Sequence, residues 1–349
     1  MVDSSLIALG WSDHFDDQIT SDAFVNTPPA RISDIYRKQI SAYSAAGEIT
    51  LDLPPSMSAG DLTVGDWILT DPETNRVLSV LDRHTLLQRQ SAGAGITRQL
   101  ISANVDTLMI VSSCNDDFNL ARLERYLILA QSNDTQPLIV LTKIDLTDDS
   151  ETYRKQAEAL SPDVQAITIN SKDPASLDQL SPWVQAGKTA ALVGSSGVGK
   201  STILSGLTGI KVATQGIRED DSKGRHTTTA RSLRPALAGG WLIDTPGVRS
   251  LGLGESDEGL ERVFSDLTEI AHGCKFSDCK HETEPKCAIR AAVDVGTLDG
   301  VRVERWKKLL KENEQNSKTI AKERERLSNL GRHSKSYAKK KRRGEDQEW

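Results

Sequence analysis

The sequence lacks any apolar run long enough to span a membrane. Its first residues, Met1 to Ser5, also lack the basic region and apolar core of a secretory signal. We therefore expect a cytoplasmic protein. Cysteine is scarce, with four in 349 residues, and three of the four lie between positions 274 and 287. In a cytoplasmic protein such a group predicts a metal site rather than disulfides. The isolated Cys114 follows a predicted strand and is interpreted as a small buried apolar residue.

The charge is unevenly distributed along the chain. The net charge is −6, but residues 301–349 hold sixteen Lys/Arg and eight Asp/Glu, a balance of +8, which leaves −14 for the first 300 residues. This asymmetry predicts a polyanionic partner reached through the C-terminal end. The run 332–343 has seven basic residues and no acid. We expect it to be disordered when unbound and to bind RNA with little sequence preference, the alternative being a solvated tail.

The length predicts two or three domains, and the N-terminal third lacks helical periodicity. Residues 1–29 are predicted to be a loose arm. Short strand patterns at 49–53, 65–70 and 76–81 predict a small antiparallel barrel within residues 30–95. The pattern fits an oligonucleotide-binding (OB) fold or an SH3-like barrel, and nucleic-acid binding is a common but not obligatory function of such barrels. Ser91 to Gly95 is predicted to be a linker.

Residues 96–255 alternate between strand and helix patterns. Apolar strands are predicted at 107–111, 138–141, 166–169, 189–193 and 241–243, with helices at 120–130, 151–160 and 177–184. This alternation predicts a doubly wound parallel sheet with helices on both faces.

Residues 194–201 match the P-loop pattern G-x-x-x-x-G-K-[ST], between a predicted strand and a predicted helix. The glycines let backbone N–H groups turn toward phosphate oxygens. Lys200 is predicted to contact the β- and γ-phosphates and to serve catalysis, and Ser201 to bind Mg²⁺. An incidental Gly/Ser-rich turn is the alternative. The predicted phosphate contacts are Gly194, Ser195, Ser196, Gly197, Val198, Gly199, Lys200, Ser201 and Thr202.

The segment Thr142-Lys143-Ile144-Asp145 fits [N/T]-K-x-D, the guanine-reading motif of GTPases. The Asp145 carboxylate can accept hydrogen bonds from guanine N1–H and N2–H₂ together, whereas adenine offers no N1–H. The Lys143 stem can cover the base, and Thr142 replaces the commoner Asn while keeping a hydrogen-bonding side chain. Asn170 and Ser171, after the next strand, are predicted to contact the base edge. A solvated turn is the alternative for residues 142–145.

A polar stretch between the P-loop and residue 244 fits a switch loop. Thr228 is predicted to complete the Mg²⁺ shell, the alternative being a Thr-rich surface loop. Val248 occupies the place where many GTPases carry a water-orienting Gln. His226 is therefore the local candidate for that catalytic role, although an exposed His without a function is the alternative.

The order of these motifs is unusual. Asp244 and Gly247 belong to a D-T-P-G segment, in which the acid can hold Mg²⁺ through water and the glycine N–H can contact the γ-phosphate. Ordinary GTPases place the guanine motif last, but here Thr142 precedes Gly194. The same sheet results when the old ends are joined and the chain is cut elsewhere. We therefore predict a circularly permuted domain whose γ-phosphate segment leads directly into the C-terminal domain.

Three cysteines and one histidine form the predicted metal site: Cys274, Cys279, His281 and Cys287. This set suits a closed, structural Zn²⁺ site with no open position for catalysis. An incidental grouping is the alternative. The site defines a mostly helical zinc domain at 256–315, followed by a basic tail at 316–349.

The motif order together with the cysteine set resembles the RsgA (YjeQ/EngC) family of circularly permuted, ribosome-associated GTPases. The resemblance covers nearly the whole chain. It implies an OB domain, a permuted P-loop GTPase domain and a C-terminal zinc domain. It also implies a factor that acts late in maturation of the small ribosomal subunit, with a GTPase activity that the subunit stimulates. The resemblance further implies that His226 serves catalysis.

We therefore expect a monomeric, Mg²⁺-dependent GTP hydrolase. Its expected partners are GTP or GDP, the small subunit with its 16S-type rRNA, and further assembly factors. Two alternatives remain open at this point. One is an RNA-binding scaffold in which nucleotide only sets affinity, and the other is a GTPase that serves another RNA such as tRNA.

Overall fold

The computed structural model describes residues 3–20, 24, 26–91, 97–211, 231–245 and 256–345. Three hydrophobic clusters organise this part of the chain. One fills the barrel, and the other two cover opposite faces of a central sheet. Among the described residues, no helix is both long and apolar enough to cross a membrane.

The N-terminal arm is folded, contrary to the predicted loose segment. Helices α1 (Ser4–Ala8) and α2 (Asp13–Asp16) carry apolar residues into the core shared with the central sheet. Trp11 packs edge-on against Trp67 of the barrel, with ring centroids 4.8 Å apart. The arm has no long periodic pattern because each helix has about one turn, so its burial depends on contacts with distant residues.

A closed five-stranded barrel follows. Its strands are β1 (Pro29–Ile35), β2 (Gln39–Ser44), β3 (Gly47–Asp52), β4 (Trp67–Asp71) and β5 (Arg76–Val80). Their order around the barrel is β1-β2-β3-β5-β4, with β1 also pairing with β4. The strand patterns predicted at 65–70 and 76–81 correspond to β4 and β5, which pair antiparallel as a hairpin. This five-stranded Greek-key order, closed by the pairing of β1 with β4, is that of an OB fold and decides against the SH3-like alternative.

The predicted linker at 91–95 lies at the end of a hairpin. Strand β6 (Leu86–Ser91) pairs antiparallel with β7 (Thr97–Ala103) as a separate two-stranded sheet. The small residues between them therefore connect two paired strands rather than two domains. Residues 92–96 themselves lie outside the described part of the chain.

The central sheet has six strands in the order β10-β9-β8-β11-β13-β12. Its members are β8 (Thr107–Ser113), β9 (Gln136–Thr142), β10 (Gln165–Thr168), β11 (Thr189–Gly194), β12 (Ser232–Pro235) and β13 (Trp241–Asp244). All neighbours are parallel except the edge strand β12, which pairs antiparallel with β13. The predicted doubly wound sheet is confirmed, with one antiparallel edge.

The helices of this domain agree with the predicted pattern except at one place. They are α3 (Leu120–Gln131), α4 (Ser150–Glu158), α5 (Pro174–Asp178) and α6 (Lys200–Thr208). The predicted helix at 177–184 is instead the end of α5 followed by a short 3₁₀ turn, Ser181–Trp183. Pro182 at the start of that turn lacks the N–H that a continuing helix needs.

The C-terminal part is helical, as predicted. It contains α7 (Asp257–Val263), α8 (Ser265–Ala271), α9 (Ala288–Asp294) and α10 (Gly300–Glu345). The basic run expected to be disordered continues α10. The run 332–343 has no proline and no glycine, and its seven Lys and Arg residues have good helix propensity.

A buried arginine joins three parts of the molecule. Arg31 of β1 is 1% exposed. Its guanidinium donates to the Leu9 carbonyl of the arm, the Asn104 carbonyl after β7 and the Thr189 hydroxyl of β11, at 2.5–2.8 Å. Burial lowers the pKa of Arg31 to about 10. The cost of burying this cation is offset by carbonyl and hydroxyl acceptors, so the contact depends on all three parts being in place.

Two ion pairs join α3 to α10. The Glu124 carboxylate is fully buried and accepts from Arg305 Nε at 2.9 Å on both oxygens. Next to it, Arg125 forms a two-bond pair with Glu312 at 2.8 and 2.5 Å. Burial raises the pKa of Glu124, while Arg305 opposes that shift. The GTPase domain and the long C-terminal helix are therefore held together by matched charges.

Arg305→Ala should lower the free energy of unfolding by about 3 kcal/mol, because it leaves the Glu124 charge buried without its partner. Urea unfolding followed by tryptophan fluorescence measures this loss. The loss should shrink as pH falls, since protonation removes the unpaired charge of Glu124. Arg154→Ala is the matched control, because Arg154 pairs with Glu151 and Glu158 on an accessible helix surface. Its cost should stay below about 1 kcal/mol, and equal costs for the two variants would contradict this account.

Candidate nucleotide site and metal centre

The P-loop lies where the direction of the sheet reverses. From β8 the chain builds outward through β9 and β10, then returns to β11 on the other side of β8. Helices that follow the two central strands leave on opposite faces, which opens a crevice at the carboxyl ends of the strands. The loop between β11 and α6 begins at that crevice.

Glycine is required at the start of the loop. Gly194 has a φ of 141°, and a Cβ built there would lie 2.2 Å from the Val111 carbonyl oxygen of β8. Gly197 and Gly199 have φ values of 78° and 100°. These conformations are unfavourable for other residues. The backbone is therefore shaped into a tight loop in front of the α6 N-terminus, which suits an anion.

The Lys200 ammonium group rests on the loop itself. Its Nζ donates to the Gly194 carbonyl at 2.8 Å and also to the Ser195 carbonyl. Ser201 and Thr202 follow it in the first turn of α6. The structure therefore brings the predicted lysine and the predicted Mg²⁺-binding serine to one end of the loop.

Asp244 ends strand β13, next to the P-loop strand. It pairs in register with Leu192 of β11. Burial raises the pKa of Asp244, while the positive charge of Lys200 opposes that shift. The adjacent Thr245 is 1% exposed and donates its hydroxyl to the Leu192 carbonyl. A divalent cation beside Asp244 would favour the charged carboxylate in the same way as Lys200 does.

The guanine motif is tied to the P-loop by a buried hydroxyl. Thr142 Oγ1 lies 2.6 Å from the Val198 carbonyl and 3.1 Å from the Ser112 carbonyl. Thr142 thus faces the protein interior and positions the loop that follows. Lys143 has a left-handed conformation with φ 61°, and a 3₁₀ turn, Ile144–Leu146, then presents Asp145. Thr142 is therefore a link between motifs, and Asp145 is the group available to a base.

The segment after β10 completes the base side of the site. Lys172 Nζ lies 3.5 Å from Asp145 Oδ2. Asn170 Oδ1 accepts from the Lys172 backbone N–H at 3.1 Å, which shapes the turn. Ser171 is buried, and a Cβ built at Gly199 would lie 3.4 Å from its hydroxyl. The P-loop, residues 142–145 and residues 170–171 are therefore neighbours, as predicted.

Three predicted site residues cannot be placed in this way. His226, Thr228 and Gly247 lie outside the described residues. Their roles stay predictions.

The four predicted zinc ligands converge. The ligand atoms of Cys274, Cys279, His281 and Cys287 all lie within 4.8 Å of one another. His281 Nδ1 is 3.6 Å from Cys274 Sγ and 3.4 Å from Cys287 Sγ. A tetrahedral Zn²⁺ with ordinary bond lengths spaces its ligands about 3.3–3.8 Å apart. The donor set therefore fits one structural zinc, and its four residues fill all four coordination positions of a tetrahedral ion.

The zinc site is connected to the long helix. The His281 ring stacks on Trp306 of α10, with centroids 5.4 Å apart and an interplanar angle of 30°. The Ala288 backbone N–H donates to Cys274 Sγ at 3.3 Å. These contacts orient the imidazole and stabilise the thiolate, as outer contacts of metal ligands do.

Comparison with known proteins decides the family. Residues 80–254 match the RsgA GTPase family. The chain is 49% identical over 318 residues to a small ribosomal subunit biogenesis GTPase RsgA from Mesorhizobium japonicum, covering 90% of this chain and 91% of that protein. The chain belongs to the RsgA GTPase family. Membership confirms that it is a GTP hydrolase.

Other RsgA relatives agree. The small ribosomal subunit biogenesis GTPase RsgA 2 from Vibrio parahaemolyticus is 42% identical over 336 residues, covering 96% of this chain and 93% of that protein. The crystal structure of YjeQ from Thermotoga maritima matches with a TM-score of 0.60 and 25% identity, over 82% of this chain and 98% of that one. YloQ, described as a circularly permuted GTPase, matches with a TM-score of 0.58 and 25% identity, over 83% and 96%. The predicted permutation is confirmed.

Some residues at this RsgA-type site escaped the sequence argument. Arg122 Nη1 donates to the Ser195 hydroxyl of the P-loop at 2.5 Å, although Arg122 lies 73 residues earlier. Thr245 fixes the end of β13, and Lys172 contacts Asp145. Thr245 and Lys172 lie beside recognised motifs, which is a usable signal. Arg122 has no such signal, because it lies outside every recognised motif and looks in the sequence like any charged residue on the surface of a helix.

Protein purified without chelator should contain one zinc per chain, measured by elemental analysis. His281→Ala should reduce zinc content and weaken the packing of α10, because it removes both a ligand and the ring stacked on Trp306. His272→Ala is the matched control, since His272 is in the same domain but outside the ligand cluster. Stoichiometric zinc in His281→Ala, or equal loss in both variants, would contradict the assignment.

Proposed function

We propose that this protein hydrolyses GTP during late maturation of the small (30S) ribosomal subunit and is stimulated by that subunit. The observation that carries the proposal is the convergence of Asp145, the P-loop and Asp244 at the carboxyl ends of the strands of the central sheet. The relatives are named as small ribosomal subunit biogenesis GTPases, which supports this subunit as the partner. A closed barrel at one end and a basic helix at the other are suited to an RNA-rich partner.

The phosphate chemistry is assigned to the P-loop and its neighbours. Backbone N–H groups of residues 194–202 hold the β- and γ-phosphates, and Lys200 moves from the loop carbonyls to those oxygens. Ser201 and Thr228 would hold Mg²⁺, with Asp244 as a further group on the metal side, and Gly247 would contact the γ-phosphate. When bound, Mg²⁺ would supply positive charge against the phosphate oxygens.

Attack by water needs an orienting group, and Val248 cannot supply one. We assign that role to His226, in the switch region before β12. Because Val248 leaves the free protein without the usual water-orienting Gln, we expect hydrolysis to be slow in the free protein and fast in the complex. This arrangement makes the subunit the activator of the reaction.

Guanine selection is assigned to Asp145, with Lys143, Asn170 and Ser171 around the base. The carboxylate accepts two hydrogen bonds from guanine, a charge-assisted pairing that adenine cannot match. Thr142 contributes by holding this turn against Val198 of the P-loop. The hydrogen bond from Thr142 to the Val198 carbonyl therefore connects the base-binding turn with the phosphate-binding loop.

The domains are assigned roles along the chain. We propose that the barrel within residues 30–95 binds RNA, that residues 96–255 contain the sheet of the GTPase domain, that residues 256–315 form the zinc domain and that residues 316–349 are a basic extension. We propose that the protein acts as a monomer in the cytoplasm, where small subunits are assembled, and that it meets other assembly factors there.

Two other functions make different predictions. A scaffold in which nucleotide only sets affinity would dissociate from the subunit even when GTP is not hydrolysed. A GTPase that serves another RNA, such as tRNA, would respond to that RNA and not to small subunits.

GTP hydrolysis should accelerate by at least about tenfold when purified small subunits are added, with ATP turned over far more slowly. Phosphate release measured with small subunits, large subunits, tRNA or no addition tests this. His226→Ala should lose most of the stimulated rate but keep GDP binding. Equal rates with and without small subunits would rule out the proposed activation, and an unchanged rate for His226→Ala would rule out that residue's role.

A further inference from the structure

An arginine outside every recognised motif touches the P-loop. Arg122 lies in the first turn of α3, where its backbone N–H is capped by the Asn119 side chain at 3.0 Å. Its guanidinium is half-buried, and Nη1 donates to Ser195 Oγ at 2.5 Å and to the Asp117 carbonyl at the longer distance of 3.5 Å. The side chain thus spans from α3 to the first variable position of the loop.

Helix stability does not explain a cation at this position. The N-terminal end of a helix carries partial positive charge, so an arginine in the first turn is disfavoured. The neighbouring Arg125 on α3 and Arg305 on α10 each have a carboxylate partner. Across the part of the chain that the structure describes, no ion pair within 4.0 Å joins Arg122 to an Asp or Glu. Its charge is directed at a neutral hydroxyl.

Ser195 connects this arginine with the P-loop lysine. The Ser195 carbonyl accepts from Lys200 Nζ, and the Ser195 hydroxyl accepts from Arg122. Two cations therefore meet at one residue, at the edge of the loop that holds phosphate. A guanidinium has five N–H donors, and Arg122 uses only Nη1 toward described residues.

A second contact from α3 supports the first. Burial raises the pKa of Tyr126, one turn beyond Arg122, and smaller opposing effects come from Arg122 and from a hydrogen bond with the backbone of Gly194. Helix α3 thus reaches both Gly194 and Ser195. These are the residues whose carbonyls hold the Lys200 ammonium.

We propose that Arg122 is a positioning residue for GTP hydrolysis. It fixes the beginning of the P-loop through the Ser195 hydroxyl and adds positive charge beside Lys200, so that the triphosphate is held in its reactive position. The inference rests on the proposed GTPase function. It concerns the rate of the chemical step more than affinity, because GDP lacks the phosphate whose position matters most.

Single-turnover GTP hydrolysis by the full-length protein tests the proposal, together with binding of a fluorescent GDP analogue. Arg122→Ala should slow hydrolysis by about 10–100-fold, as expected when a reacting group is misplaced. GDP affinity should change less than about threefold, within the usual range for a lost contact that does not touch the ligand. Arg122→Lys should recover part of the rate, because it restores the charge without the planar fork.

Ser195→Ala separates positioning from general stability. If Arg122 acts through Ser195, the double variant should be no slower than Arg122→Ala alone, whereas independent effects would multiply. Multiplying effects would overturn the proposal, as would equal losses of GDP affinity and hydrolysis. Ser195→Ala and Arg122→Lys also provide the test if Arg122→Ala does not fold.

Arg154→Ala is the matched control, an arginine of the neighbouring α4 whose partners are Glu151 and Glu158. It should keep the wild-type rate. Wild-type protein that does not hydrolyse GTP would contradict the proposed function itself. Active wild type with an unchanged Arg122→Ala would contradict only the role of Arg122.

Discussion

The nucleotide site depends on how closely two strands approach at Gly194. A Cβ at this position would lie 2.2 Å from the Val111 carbonyl, so only glycine lets β11 run against β8 up to the start of the loop. That approach places the P-loop at the reversal point of the sheet. In the neighbouring strand pairs Asp244 lies in register with Leu192, and Thr142 with Ser113. The groups proposed to bind base, phosphate and metal are thus positioned by strand pairing, whatever their order along the chain.

The same sheet is joined to the rest of the protein through buried charges. On one side Arg31 connects the arm, the barrel and Thr189 at the beginning of the P-loop strand. On the other side α3 contacts the P-loop through Arg122 and the long helix through Glu124. Each pairing loses much of its value when one partner is withdrawn, since a buried charge is then left uncompensated. The GTPase domain is therefore in direct contact with the barrel on one side and with the long C-terminal helix on the other.

The exit from the γ-phosphate segment is anchored as well. Asn313 of α10 is 4% exposed, accepts from the Ser256 backbone N–H at 3.2 Å and donates to the Asp257 carboxylate at 2.5 Å. Ser256 is the first described residue after position 245. The permutation thus directs the chain from Asp244 onto the helix that also stacks on the zinc ligand His281 through Trp306. A change at the phosphate has a short covalent path to the zinc domain and the basic helix.

The sequence was most informative where function depends on local spacing. The P-loop, residues 142–145 and the Cys/His set are each short patterns whose chemistry follows from residue type and separation. The folded arm was missed because Leu6 and Phe15 are buried by residues far away in the chain. Arg31 and Arg122 were missed for the same reason, since their partners lie up to 158 residues away. The hairpin of β6 and β7 was missed because small residues between strands fit a linker equally well.

We propose that the protein stays on the small subunit while GTP is bound and is released once GTP has been hydrolysed to GDP. Cosedimentation of the full-length protein with purified small subunits tests it most directly, with GDP compared against a non-hydrolysable GTP analogue. The account predicts strong retention with the analogue and clear release with GDP. Equal retention in both states would contradict it.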